Sequence, residues 1–374
     1  MRISTVFVVW KKVETFMALQ NNEPRDPPFS SGASYPQISV VIPTYNVEPY
    51  IADTLDSLLA QSIPFAQIII VNDGSTDGTM SVVERYAHRA PLVIVNQPNQ
   101  GVGAARKKGL SLATGDYVLF CDPDDVVSPQ MTSNFVTRLQ VNPALELFYF
   151  SIRNFVGGPG EMQLKKRKPA PPRTGEFKRG LELFEDLILS DQYHGGTWHY
   201  IFKREVCDRF HVSFEGRAHE DHEFSMEIYL NSRDTFVTTD DLYFLRARPG
   251  SLTRSVQDEA YVMGAYRAHR ASLERLKRHI PSFAHGRETA LRYIEKNISV
   301  TVRQCVKLGI RLPQDFQKLM RQDVRECRIG PHAKPTLAYP VAVYWAARSR
   351  HALRVGWQKI RRRHPKAAAQ SGRA

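Results

Sequence analysis

Short apolar, β-branched runs alternate with helix-spaced apolar positions along the first third of the chain. ISVVIP starts at Ile38, QIIIVND at Gln67, LVIVNQ at Leu92 and DYVLFCD at Asp116. Continuous runs of this length are the pattern of buried strands. Between them, residues 48–61 space Ile51, Leu55, Leu58 and Leu59 as one helical face, and residues 76–88 and 101–114 read as two further helices. Strands alternating with helices predict parallel βαβ units and an α/β sheet flanked by helices. Ligands of such sheets bind beyond the carboxyl ends of the strands. The loops expected to carry chemistry are therefore 43–47, 72–78, 97–103 and 121–126.

The rest of the chain changes character. Residues 22–37 are rich in Pro, Ser and Gly and read as a linker after a short leader. Residues 157–176 (GGPGEMQLKKRKPAPPRTGE) read as a mobile loop inserted in the body. From 256 to 328 the pattern is helical and amphipathic, and 341–363 mix aromatic and basic residues. No internal repeat is present. The division expected is a leader and linker over 1–37, a main domain over 38–254 with halves at 38–126 and 127–254, and a helical C-terminal region over 255–374.

Composition is that of a globular protein, with 42% hydrophobic and 24% charged residues in 374. Net charge is +13, which invites an anionic partner. Its distribution narrows the choice. No Asp or Glu follows Glu326, while eleven Lys or Arg do, so residues 1–326 carry a net charge of only +2. The basic runs 165–168 (KKRK) and Arg361–Arg363 lack any recognition-helix, RRM or zinc pattern, and nucleic-acid binding is not expected. The tail 341–374, with Trp345 and Trp357 beside seven cations between 341 and 363, suits an anionic membrane surface, or a helix packed on the body with a solvated basic face. No apolar run is long enough to span a bilayer. Cys121, Cys207, Cys305 and Cys327 show no CxxC spacing and read as reduced thiols of a cytosolic protein.

Three predicted strands end in small polar or acidic groups: Pro43-Thr44-Tyr45-Asn46, Asn72-Asp73-Gly74-Ser75 and Asp122-Pro123-Asp124-Asp125. Acids gathered at one sheet edge repel one another unless a cation or proton neutralises them. The Asp-x-Asp spacing of Asp122 and Asp124 suits Mg²⁺ or Mn²⁺ shared with substrate phosphates. Asp77 serves either this cluster or a helix cap. The stretch from Asp73 to Glu84 nearly matches a calcium loop, but the preceding IIIV is a strand pattern. Gly101-Val102-Gly103 opens a dinucleotide-like fingerprint whose third glycine is replaced by Arg106.

The ordered set ISVVIPTYN, IIIVNDGSTDGT, NQGVGAARKKGL, ATGDYVLFCDPDD, TWHYIFKRE, HEDHEF and YFLRARPGSLT resembles bacterial family-2 glycosyltransferases of the GT-A fold over about residues 38–254. The resemblance implies a GT-A, Rossmann-like, mainly parallel sheet with a C-terminal helical extension. It implies an inverting transferase that uses a nucleotide-sugar, a UDP-sugar above all, and Mn²⁺ or Mg²⁺. By that resemblance Pro43, Thr44, Tyr45, Asn46, Asp73, Gly74, Arg106 and Asp122 hold the nucleotide, with support of the acidic cluster the alternative for Arg106. Asp122 and Asp124 hold the metal. Asp221 is the general base, next to Glu220. Asp125, Trp198, Arg248 and Ser251 contact acceptor or diphosphate, with a core role the alternative for Trp198. Lys107 stands where the family usually has Asn, and His219 and His222 read as local packing. The acceptor expected is a glycan or lipid-linked hydroxyl in capsule, lipopolysaccharide or exopolysaccharide assembly, at the cytoplasmic face of the plasma membrane with the basic tail in peripheral contact. The rival reading is a catalytically inactive nucleotide-sugar or glycan binding module, against which the intact Asp122, Asp124 and Asp221 argue.

Overall fold

The computed structural model describes residues 36–89, 91–214, 219–248, 258–282, 284–312 and 314–326. The linker over 22–35, the tail 341–374, Ser251 and Cys327 lie outside them. The chain divides into two compact units, 1–255 and 256–374.

The first unit is built on a ten-stranded sheet. Strands β1 (Ile38–Thr44), β2 (Gln67–Asn72), β3 (Leu92–Asn96) and β4 (Tyr117–Phe120) pair in parallel in the order β3-β2-β1-β4. Helices α1 (Ile51–Leu59), α2 (Thr79–Glu84) and α3 (Val102–Leu112) connect them. All seven residues of β1 are buried, because helices cover both sheet faces. Alternation sorts the side chains: Tyr117, Leu119 and Cys121 enter the main apolar cluster. Phe120 points to a second layer, edge-on to Phe224 at 5.5 Å and to Phe214 at 5.2 Å. α2 is shorter than the expected 76–88, since turns replace helix from Arg85.

The second half of the sheet mixes directions. It comprises β5 (Val126–Val127), β6 (Leu147–Val156), β7 (Gln163–Leu164), β8 (Gly175–Arg179), β9 (Tyr200–Lys203) and β10 (Arg233–Arg246). β9 runs antiparallel between β4 and β6, while β10 is parallel to β6 and antiparallel to β5 and β8. Helices α4 (Met131–Val141), α5 (Gly180–Leu189), α6 (Glu205–Phe210) and α7 (Glu220–Asn231) fill in around it. The insertion 157–176 is no free loop. It carries β7 and the start of β8, Lys165 N–H donates to Asn154 O at 2.8 Å, and Arg167 pairs with Asp241 of β10 at 3.1 Å. Backbone pairing and an ion pair to β10 override a Gly/Pro-rich composition.

The second unit contains α8 (Glu259–His279), α9 (Gly286–Leu308) and α10 (Gln314–Glu326). Buried Asp323 of α10 accepts from Tyr266 Oη at 2.6 Å and from Arg270 at 2.9 Å on α8. Among the described residues, Cys121, Cys207 and Cys305 are free and buried, and no helix is long and apolar enough to cross a membrane.

Candidate active site at the carboxyl edge of the sheet

The loops after β1, β2 and β4 meet at one edge, as parallel βαβ topology requires. After β1, Thr44 is buried and its hydroxyl donates back to Ile42 O, while Pro43 lies buried in the strand. Tyr45 is 48% exposed and offers its ring to solvent. Asn46 takes a left-handed φ of 47°, and its carboxamide oxygen accepts Thr76 N–H at 2.8 Å. Asn46 thus ties this loop to the next. Asp77 accepts Thr79 N–H at 3.0 Å at the start of α2 and Glu48 N–H at 3.2 Å, which is the capping role.

After β2, Asp73 is buried and its carboxylate accepts three N–H groups: Gln97 Nε2, Gln100 N and Gly101 N, each at 2.8 Å. It fixes the loop that leads into α3. Gly74 has φ +78°, and a Cβ there would approach Asn99 N at 3.0 Å. The 97–101 loop is therefore a partner of Asp73 that motif reading did not reveal.

Arg106 of α3 is the electrostatic centre. It is buried, donates to Asp122 Oδ1 at 3.0 Å and to Glu220 Oε1 at 2.9 Å. Burial works against its charge, but Asp122, Glu220 and Asp221 hold the guanidinium pKa above its ordinary value. In turn, burial raises the Asp122 carboxyl, with Arg106 opposing and Asp124 and Asp221 adding. Glu220 is likewise raised by burial against the pull of Arg106. Gly103 allows this approach: a Cβ there would meet Glu220 Cγ at 2.5 Å. Asp221 follows Glu220 in the first turn of α7 and is half-buried, at the helix end where carboxylates are favoured. Lys107 is exposed on the next position of α3. His222 packs at the chain near Gly195, where a Cβ would meet its ring at 2.2 Å.

The Asp122–Asp125 turn is braced from β10. Tyr243 Oη donates to Asp125 Oδ2 at 2.8 Å and accepts Asp122 N–H at 3.0 Å. Arg246 N–H donates to the other Asp125 oxygen at 2.7 Å. The Arg246 guanidinium reaches Asp124 O, Gly157 O, Gly158 O and Asp53 Oδ2, all within 3.0 Å. Asp125 is 1% exposed with both oxygens taken, so it supports the turn from beneath and does not face acceptor or diphosphate as expected. Burial, with Asp124 and Asp122 beside it, pushes its carboxyl well above the usual range. Asp124 pairs with Arg248, whose guanidinium also lies 4.9 Å from the Tyr50 ring. Trp198 is half-buried, stacked 5.7 Å from Tyr243 and 4.2 Å from His199, so it touches the brace as well as the core.

The YFLRARPGSLT motif contains Tyr243 and Arg246 without marking either as a site residue, and Asp53 lies in no motif. Their roles depend on register between β10 and the β4 end, and short-range pattern does not encode that.

Comparisons with known proteins bear on the family and the fold. The family model described as Glycosyl transferase family 2 matches residues 39–207. The chain is similar to the uncharacterized glycosyltransferase EpsJ of Bacillus subtilis (strain 168), 31% identical over 226 residues, covering 58% of this chain and 63% of that protein. It is similar to the poly(ribitol-phosphate) beta-glucosyltransferase of Bacillus spizizenii, 30% identical over 224 residues, covering 57% of this chain and 33% of that protein. The chain thus spans less than two thirds of either relative. Among solved structures, S. aureus TarS 1–349 in complex with UDP-GlcNAc superposes with a TM-score of 0.67 at 21% identity, covering 84% of this chain and 89% of that one. That likeness is one of fold, a central mostly parallel sheet flanked by helices. Residues 39–207 thus match glycosyl transferase family 2, and the chain has the GT-A fold.

Proposed function

We propose that the chain is an inverting glycosyltransferase. It moves a sugar from a nucleotide-sugar, a UDP-sugar in our reading, to a hydroxyl of a glycan or lipid-linked acceptor in cell-surface polysaccharide assembly. The observation that carries this is the Arg106 bridge, which brings Asp122, from the β4 turn, beside the Glu220–Asp221 pair of α7. A diphosphate-end acid and a candidate base are thereby held in one place. A relative whose name specifies a poly(ribitol-phosphate) acceptor supports a cell-surface polymer as the setting.

In this reading Asp221 takes the proton of an acceptor hydroxyl as its oxygen bonds to the anomeric carbon. The bond from that carbon to the diphosphate breaks in the same displacement, which inverts the configuration. A carboxylate suffices as base because the hydroxyl acidifies only as the C–O bond forms. Tyr45 stacks on the base. Arg248 turns from Asp124 to the leaving diphosphate, for which guanidinium is well matched.

Asp122 and Asp124 fit Mg²⁺ or Mn²⁺. Both offer hard carboxylate oxygens, and such ions complete their shell with substrate phosphates and water. Among the described residues no group of three or more His, Cys, Asp or Glu could hold a metal ion by itself. When bound, the ion supplies charge neutralisation for the diphosphate.

The test is a nucleotide-sugar hydrolysis screen of the full chain with Mg²⁺ and Mn²⁺. Turnover of one donor well above the others supports the reading, and no turnover of any donor contradicts it.

A further inference from the structure

A cavity in the first unit is lined by β6, the segment after α5 and the 157–176 insertion. Its volume is about 450 Å³, within the range of roughly 300–1,000 Å³ usual for small-molecule sites. None of Asp122, Asp124, Glu220 and Asp221 lines it. Its floor is Tyr149 and Ser151 of β6. Its walls are Ser190, Gln192 and His194 after α5, and its roof includes Lys168 and Pro169 of the 157–176 insertion. The roof is fastened, because Arg167 pairs with Asp241 and donates to Thr239 O.

One wall residue is out of balance. His199 is 3% exposed, yet neither ring nitrogen has a hydrogen-bond partner among the described residues. Stacking fixes its plane: Trp198 lies at 4.2 Å, Tyr149 at 5.6 Å and His194 at 5.8 Å between centroids. Burial, with His194 and Lys168 beside it, drives its pKa well below the ordinary value. The ring is therefore neutral and presents one N–H donor and one bare acceptor. Leaving both unmade is costly in a buried place.

A fully ionised phosphate ester satisfies only the donor. A hydroxyl-rich ring satisfies both, since every hydroxyl gives and accepts. Arg167 and Lys168 on the lining balance Asp191 and Asp241, so its charge gives an anion no net attraction. Aromatic faces beside polar edges are the surface a sugar ring covers.

We propose that this cavity is a carbohydrate subsite that holds a sugar unit of the acceptor, with His199 as its central hydrogen-bonding residue. The assignment to acceptor rests on the transferase reading above. The stacked series His199, Trp198, Tyr243 links the cavity to the brace beneath Asp122, so an acceptor anchored there lies next to the reaction edge.

The test uses the full chain saturated with UDP and Mg²⁺, so that the donor end is filled. Saturation-transfer NMR is recorded with methyl glycosides of glucose, galactose, mannose and N-acetylglucosamine. At least one glycoside is expected to receive saturation. His199→Phe, which keeps a ring without nitrogens, and Ser190→Trp, which fills the mouth from another element, are each expected to weaken that binding about tenfold or more. UDP affinity stays within about twofold in both, as expected for a separate site. Absence of any glycoside signal, survival of the signal in both variants, or its displacement by inorganic phosphate overturns the proposal. Donor hydrolysis without acceptor is followed in the same samples. Hydrolysis with no glycoside binding overturns the subsite alone, whereas glycoside binding with no hydrolysis of any donor supports the subsite and overturns the transferase reading.

Discussion

Arg106 and Glu220 lie 114 positions apart in sequence and 2.9 Å apart in space. The pair joins the helix after β3 to the helix that carries Asp221, and the second arm of the guanidinium reaches Asp122 at 3.0 Å. One buried cation thus holds together two carboxylates that would otherwise repel each other.

Removing that cation is expected to destabilise the fold as well as the site. Arg106→Met leaves Asp122 and Glu220 uncompensated in a buried place, a loss of about 3–5 kcal/mol by analogy with broken buried pairs. Urea unfolding measures it, and a change below about 1 kcal/mol would show that water already solvates those carboxylates.

Tyr243→Phe should act on the turn from below. It strips the partner of Asp125 Oδ2 and of Asp122 N–H, at a cost of about 1–3 kcal/mol. Nucleotide affinity should fall with it, because the Asp122–Asp124 turn loses its brace. Calorimetric titration with UDP and Mg²⁺ reads that directly, and an unchanged affinity would detach Tyr243 from the site.

If Asp124 holds the proposed ion, UDP binding should depend on metal. Asp124→Asn keeps the side-chain size but removes the anion, so Mn²⁺-dependent UDP binding should weaken by about tenfold or more. Treating the parent protein with EDTA should produce a comparable loss. Equal UDP affinity with and without metal would remove the ion from the account.

Acid stability should depend on His199. Its folded pKa is depressed by burial, so below about pH 6.5, the unperturbed value, the unfolded chain binds a proton that the folded chain refuses. Stability is therefore present above the unfolded pKa and declines as pH falls towards the folded one. His199→Phe should flatten that decline between pH 7.5 and 5 in urea midpoints. Parallel curves for parent and variant would mean that the ring is charged in the fold.

The parallel half of the sheet was readable because its signals are local. ISVVIP, QIIIVND, LVIVNQ and DYVLFCD became β1 to β4 within two residues at each end, since burial on both faces demands continuous apolar runs. The polar ends of those strands led to Asp73, Asp122 and Asp124 for the same reason. What escaped lies in pairing between distant segments. Arg246 sits in a strand pattern and gains its role only because β10 carries it against Asp53 and Asp124 O. Asp125 shares a motif with its neighbours, yet the turn buries it. The short strands within 157–179 were hidden by Gly and Pro, because their pairing partners on β6 and β10 supply the order that their own composition lacks.

The most direct test of the proposed chemistry is the turnover of Asp221→Asn beside the parent chain, with the donor that the hydrolysis screen selects and an acceptor that supports transfer. If Asp221 is the base, transfer should fall by about 10²–10⁴-fold, the usual contribution of a general base, while UDP affinity stays within a few-fold. Turnover equal to the parent's would remove Asp221 from the reaction and with it the account of this edge as an active site.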